Sequence, residues 1–180
     1  MDVLKHEQGK YEQIWDLPAY SDNSPGSKYA DMFMQITGAQ PKDSVIDLGC
    51  GAGAGGRALA EHKLLVTYLD FVQVPDVPEP FIQQSLWEPI SAGTWKYGFC
   101  CDVMEHLPPE FSMLAVHNML EACGGVFFSI AFAPDYFGRF VGEPLHLNVK
   151  PFVWWRDRLA GMGNLIEARD LLGEGVFYVR

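Results

Sequence analysis

Apolar positions along the chain fall into short runs punctuated by glycine, proline and charged residues. Residues 44–49 (Ser-Val-Ile-Asp-Leu-Gly), 64–70, 81–86, 97–103 and 126–131 are apolar runs of strand length. Between them the spacing turns helical. Ser24-Pro25 reads as an N-cap and first helical residue, Tyr29, Phe33 and Ile36 form a stripe, and Gly38 closes it. Residues 57–62 predict a short helix. Pro108-Pro109-Glu110 opens a longer one striped by Met113, Val116 and Leu120 and closed by Gly124-Gly125. Pro151 opens another, with Trp155, Leu159 and Met162 on one face and Gly163 at its end. Residues 164–171 and 176–180 are strand-like around Gly173-Glu174-Gly175, a hairpin signal. Residues 72–80 hold three prolines, which excludes a normal helix there.

Strands alternating with helices predict an α/β fold: a Rossmann-like, doubly wound, mainly parallel seven-stranded sheet. Its C-terminal hairpin is expected to set an antiparallel strand at the edge. Helix signals are thin between the second and third strands, so one face is expected to be partly bare. Residues 1–40 read as an N-terminal cap or helical arm on a domain spanning 41–180. Neither an internal repeat nor a low-complexity stretch is visible.

Composition narrows the class. The chain has 180 residues, 48% hydrophobic and 20% charged, the profile of one globular domain. Thirteen basic against 23 acidic residues give a net charge of −10, which disfavours broad binding to nucleic-acid backbones. Uncharged apolar runs stay too short for a membrane helix, and the opening MDVLKHEQGK lacks the apolar core of a signal peptide. A cytoplasmic protein is expected. The four cysteines, Cys50, Cys100, Cys101 and Cys123, include no CxxC pair. They read as small buried residues in a reducing compartment rather than as zinc ligands.

The densest chemical signal is Val45-Ile46-Asp47-Leu48-Gly49-Cys50-Gly51-Ala52-Gly53, a buried strand running into three alternate glycines and then a helix. Gly49 permits a sharp exit turn. Gly51 and Gly53 remove Cβ atoms where a ligand would lie on the backbone. An ordinary strand-to-helix turn is the plain alternative. A P-loop is disfavoured because no GxxxxGK[ST] exists. A dinucleotide site is a further alternative, which the Gly-x-Gly-x-Gly spacing disfavours. Asp70 ends the next strand 21 residues after Gly49. It can be a turn residue or an acceptor for ribose hydroxyls; with the glycines, the ribose role is preferred.

VIDLGCGAG, Asp70 and Asp102-Val103-Met104-Glu105-His106-Leu107-Pro108, taken in order, resemble the motifs of class I S-adenosylmethionine-dependent methyltransferases. The resemblance covers roughly residues 40–180. HEQGKYEQIW, DVMEHLPPE and GEPLHLNVKPFVWW look typical of a compact type found in phages and bacteria. It implies S-adenosylmethionine as cofactor and residues 41–180 as its binding domain. Gly49, Cys50, Gly51 and Gly53 would lie under the methionine part and ribose. Asp47 would orient that loop or reach the methionine amino group. Asp70 would hold both ribose hydroxyls, Phe71 would pack on the adenine, and Ser85 and Leu86 would flank it, with Asp102 and Val103 completing the cofactor set. Relatives often place Asp near Ser85 to accept from the adenine amino group; this chain does not.

Methyl transfer needs in-line alignment and often a base. Glu105, His106 and His146 are the candidate catalytic residues, and both imidazoles are expected to titrate near neutral pH. For Asp102 and Glu105 the plain alternative is helix-start charge, and for His146 a satisfied loop histidine. Asp102, Glu105, His106 and His146 also resemble the set with which methyltransferases of small-RNA 3′ ends hold a divalent cation, and ubiquinone-pathway O-methyltransferases carry a related Glu-His pair. The same motif occurs without metal, so no metal ligand is assigned and a metal-dependent O-methyltransferase of RNA-type hydroxyls stands as the alternative. Tyr11, Trp15 and Tyr20, with His6 and Lys10, would cap the cofactor or substrate. Tyr136, Phe137 and Phe140 would line an acceptor pocket, whereas Trp154 and Trp155 read as helix core. The acidic surface points to a small-molecule or nucleotide acceptor. Duplex DNA is disfavoured, since no Asn/Asp-Pro-Pro-aromatic motif follows the fourth strand. A catalytically silent cofactor-binding partner protein is the rival from another class.

Overall fold

The computed structural model describes residues 3–21 and 25–180. Seven strands form one sheet: β1 (Ser44–Leu48), β2 (Leu65–Asp70), β3 (Phe81–Gln83), β4 (Tyr97–Cys101), β5 (Val126–Ala131), β6 (Leu165–Asp170) and β7 (Glu174–Val179), in the order β3-β2-β1-β4-β5-β7-β6. The first five pair in parallel, and β7 runs antiparallel to both β5 and β6. The predicted doubly wound sheet is therefore present, with one difference. The antiparallel strand is interior: β7 inserts beside β5, and β6 takes the edge. The physical reason lies in burial, since Val176, Phe177, Tyr178 and Val179 are all buried whereas β6 carries Glu167, Arg169 and Asp170. The more apolar strand takes the position covered on both faces.

Alternation along the strands feeds two cores. Cys100, Val126, Phe128, Ile130 and Phe177 face α5 (Pro109–Ala122) and α6 (Phe152–Ala160), where Val116, Met119, Trp155 and Leu159 are fully buried. Tyr97, Phe99, Phe127, Val176 and Tyr178 face the other side, packed on Phe33 of α3 (Ala30–Thr37) and Leu59 of α4 (Ala54–Glu61). Gly38 closes α3 in the left-handed conformation, as the sequence implies, while Ser24, its expected cap, lies outside the described residues. A 3-10 turn at Pro25–Tyr29 leads into α3. Gly161, rather than Gly163, follows α6. Trp155 is core, as expected.

The proline-rich segment 71–80 is irregular, but it is not bare. Val72 and Val74 are buried against Tyr11 and Ile14 of α1 (Val3–Trp15), which is followed by the short α2 (Pro18–Ser21). The first helix thus covers apolar side chains that no crossover helix covers. Among the described residues no helix is long and apolar enough to cross a membrane. All four cysteines are free; Cys50, Cys100 and Cys123 are buried and Cys101 is partly so.

Candidate functional site

The sequence-predicted site residues lie at or after the carboxyl ends of the parallel strands: on or after β1, β2 and β4, with Ser85 and Leu86 after β3 and His146 in the loop after β5. Two clefts meet there. The first is lined by Asp70, Phe71, Ser85, Leu86 and Val103, together with Glu7, Tyr11 and Trp15 of α1. It holds about 640 Å³ of empty space, counting the part open to solvent. The second is lined by Cys50, Gly51, Cys101, Asp135, Tyr136 and His146, among others. Gly49, Asp102, His106, Trp15 and Tyr20 line both.

The glycine loop divides its labour. Asp70 Oδ2 accepts from Gly51 N–H at 2.8 Å and its Oδ1 from Val72 N–H at 3.0 Å. The carboxylate thereby ties the loop to the end of β2 while lone pairs remain for a ligand. Burial raises its pKa to about 6, against the lowering by these backbone donors. Gly51 has φ +50, and a Cβ there would stand 2.4 Å from the Trp15 indole, so the space it leaves is filled from α1. Gly53 departs from expectation: it lines neither cleft, and its Cβ would press on Pro78 and Tyr68. Asp47 also lines neither. Its Oδ2 accepts from Gly56 N–H at 2.7 Å at the start of α4, which supports the loop-orienting role. Burial, opposed by that bond and reinforced by Asp70, raises its pKa to about 7.

The second centre forms where the clefts join. Asp102 leaves β4 at φ +59, and residues 103–106 make a turn closed by His106 N–H donating to Val103 at 2.9 Å. The helix α5 begins only at Pro109, so Glu105 and His106 sit on this turn and not on a helix face. Asp135 accepts from Leu145 N–H at 2.8 Å and His146 N–H at 3.1 Å, which folds the loop after β5 inward. One ligand atom from each of Asp102, Glu105, His106 and His146 then lies within 4.8 Å of all the others.

The protonation chemistry of this cluster is specific. Glu105 is fully buried; Oε1 accepts from Ala131 N–H at 2.7 Å, and Oε2 has no hydrogen-bond partner. A helix-start charge would be solvated, so that alternative fails. Burial, then the neighbouring Asp102, pushes its pKa well above the usual carboxylate range. His106 does not titrate near neutrality as expected: burial lowers it to about 4, against the raising by Asp102. Its Nδ1 is 2.6 Å from Tyr11 Oη, and His146 Nδ1 is 2.6 Å from the Ala133 carbonyl. The two rings stand edge to face, 4.5 Å apart between centroids. Two carboxyl groups and two imidazoles suit Mg²⁺ or Mn²⁺ once both acids are ionised, and the orphaned Glu105 Oε2 fits a ligand role.

Sequence reasoning missed Glu7, Gln84, Trp87 and Pro108 in the first cleft, and Lys28, Asp135 and Glu174 in the second. Glu7, Tyr11 and Trp15 recur every four residues, a helical stripe that was open to detection. Tyr136 and Phe137 line the second cleft as expected, but Phe140 does not and is 55% exposed. His6 and Lys10 bind Glu143 and Glu7 respectively and do not line either of these clefts.

No family model matches the chain. A curated relative, the ubiquinone biosynthesis O-methyltransferase of Serratia proteamaculans (strain 568), is 27% identical over 151 residues, 71% of this chain and 61% of that protein. The chain therefore spans about three fifths of that relative's length. Among solved structures, the 1,6-didemethyltoxoflavin-N1-methyltransferase of Burkholderia thailandensis, with S-adenosylhomocysteine bound, superposes with a TM-score of 0.71 at 14% identity, covering 99% of this chain and 86% of that one. The magnesium protoporphyrin IX methyltransferase of Synechocystis PCC 6803, with S-adenosylmethionine bound, gives 0.67 at 17%, covering 100% and 98%. The seven-stranded sheet with its inserted antiparallel strand is thus the Rossmann-like fold of the S-adenosylmethionine-dependent methyltransferases.

Proposed function

We propose that this protein is a cytoplasmic S-adenosylmethionine-dependent methyltransferase acting on a small-molecule or nucleotide acceptor. The observation that carries the reading is the pair of joined clefts, one flanked by Asp70 and Phe71 and the other by aromatic side chains, with Asp102 and His106 on both. The cofactor supplies a methyl group on a sulfonium. Asp70 binds the ribose and Gly49 leaves room at the loop. Tyr11, Trp15 and Tyr20, from the arm formed by residues 1–40, close over the first cleft and exclude water. His106, neutral because burial lowers its pKa to about 4, lines both clefts, where its imidazole would take the proton that the acceptor loses.

The ligand cluster favours a finer reading, in which the methylated atom is a hydroxyl oxygen and a divalent cation assists. The curated relative's O-methyltransferase activity supports this. In this reading His106 is a ligand instead of the proton acceptor: Asp102, Glu105, His106 and His146 would hold the cation, which would acidify a hydroxyl bound to it. Methyl-labelled S-adenosylmethionine offered with a library of hydroxylated metabolites and nucleotides, with and without EDTA, tests both levels. We expect product that EDTA removes and Mg²⁺ or Mn²⁺ restores. Undiminished product in EDTA rejects the cation, and no product on any acceptor favours a silent cofactor-binding protein.

A further inference from the structure

The described end of α1 nearest the N-terminus brings a charged group into the first cleft that the reaction chemistry does not use. Glu7 is 6% exposed and lines that cleft with Phe71, Ser85, Leu86 and Trp87. Its Oε2 is paired with Lys10 Nζ at 2.5 Å, itself 4% exposed, yet receives no hydrogen bond of good geometry. A buried ion pair of this kind is seldom worth its desolvation on stability grounds alone.

Its place along the cleft is set by helix geometry. Trp15 rests on Gly51 and Tyr11 packs edge-on against Phe71 at 5.4 Å. Glu7 lies eight residues before Trp15, which is about 12 Å along the axis at 1.5 Å per residue. Glu7 is therefore at the far end of the cleft from the glycine loop, beyond the point where Asp70 would hold the ribose. The walls there, Phe71, Leu86 and Trp87, suit a flat base.

Two other polar side chains at that end, neither of them charged, already make hydrogen bonds to neighbouring backbone. Ser85 Oγ accepts from Trp87 N–H at 3.4 Å, and Gln84 Nε2 donates to the Pro89 carbonyl at 2.9 Å. A carboxylate paired with an ammonium accepts hydrogen bonds and donates none. Of the donors S-adenosylmethionine carries, the ribose hydroxyls belong to Asp70 and the methionine ammonium to the glycine-loop end. The exocyclic adenine amino group is the one that remains.

We propose that Glu7 accepts a hydrogen bond from the adenine 6-amino group, so that base specificity is carried by α1 rather than by the end of β3. The inference rests on the cofactor reading above. Its test compares binding of S-adenosylhomocysteine with its 6-oxo analogue, S-inosylhomocysteine, by isothermal titration calorimetry on the full chain. A hydrogen bond to a charged group predicts at least tenfold preference of the wild type for the amino form. In Glu7→Gln, whose amide can also donate to a 6-oxo group, the preference should shrink to about threefold or less. The double variant Glu7→Gln, Lys10→Met removes the buried ammonium that the single change strands, and should show the same collapse if the single variant does not fold. Equal discrimination by wild type and a folded variant overturns the assignment. Failure of the wild type to bind S-adenosylhomocysteine at all overturns the cofactor reading, and the assignment with it.

Discussion

Asp70 gives the sharpest quantitative expectation, because one carboxylate ties the loop and serves the ligand. It accepts from Gly51 and Val72, and burial raises its pKa to about 6. Ribose hydroxyls donate, so the ionised form is the better acceptor. If only that form binds well, apparent Kd scales as one plus ten to the power of pKa minus pH. Between pH 8 and pH 5 this weakens S-adenosylhomocysteine by about elevenfold, or about 1.4 kcal/mol. Asp70→Asn keeps the shape and one acceptor oxygen but loses the charge. Hydrogen bonds to a charged group are worth about 1.5–3 kcal/mol each, so the variant should bind at least tenfold more weakly at pH 8. Its affinity should also be flat across the same pH range. Isothermal titration calorimetry at both pH values on both proteins reads all four numbers. An equal pH slope in Asp70→Asn would refute the assignment of that slope to Asp70, and wild-type affinity in the variant would remove Asp70 from the ribose.

Other perturbations follow from the same contacts. Gly51→Val adds a side chain where φ is +50 and Trp15 already lies; S-adenosylhomocysteine binding should be lost and α1 should become protease-sensitive, while an unchanged affinity would show that the loop has room. Asp47 has a folded pKa of about 7, above its unfolded value, so its contribution to stability is complete below about pH 4 and is lost as pH rises through 7. Asp47→Asn cannot ionise, and its melting temperature should fall less than the wild type's between pH 5 and pH 8; parallel curves would contradict the burial argument. Phe33 is fully buried with ring contacts to Tyr97, Phe99 and Phe127, so Phe33→Ala should cost about 3–5 kcal/mol, on the order of 10 °C in Tm, and a loss under 1 kcal/mol would mean the core refills.

What the sequence revealed depended on how local the cause was. The strands and the Gly49–Asp70 spacing were legible because apolar runs and glycine turns act over a few residues. The insertion of β7 beside β5 was not, since a hairpin signal says which strands pair and not which of them meets the sheet. Helix α1 mixes charges with aromatics, and its stripe makes sense only once Val72 and Val74 are in place to receive it. The ligand cluster was half legible: a resemblance raised a cation as the alternative without assigning a ligand, and the turn at 103–106 and the Asp135 bonds that fold His146 inward come from long-range packing. The near-neutral titration expected of His106 failed for the same reason, because burial is not written in a motif. Of the two roles the sequence left open for Asp47, its bond to Gly56 N–H supports the loop-orienting one, and Gly53 packs against Pro78 and Tyr68.

Titration of the wild-type protein with S-adenosylhomocysteine at neutral pH, with NAD as the comparison ligand, should give a single saturable site of micromolar class, about −8 kcal/mol, and no saturable heat with NAD. No saturable binding of S-adenosylhomocysteine, or equal binding of NAD, would contradict the proposed cofactor and the role given to both clefts.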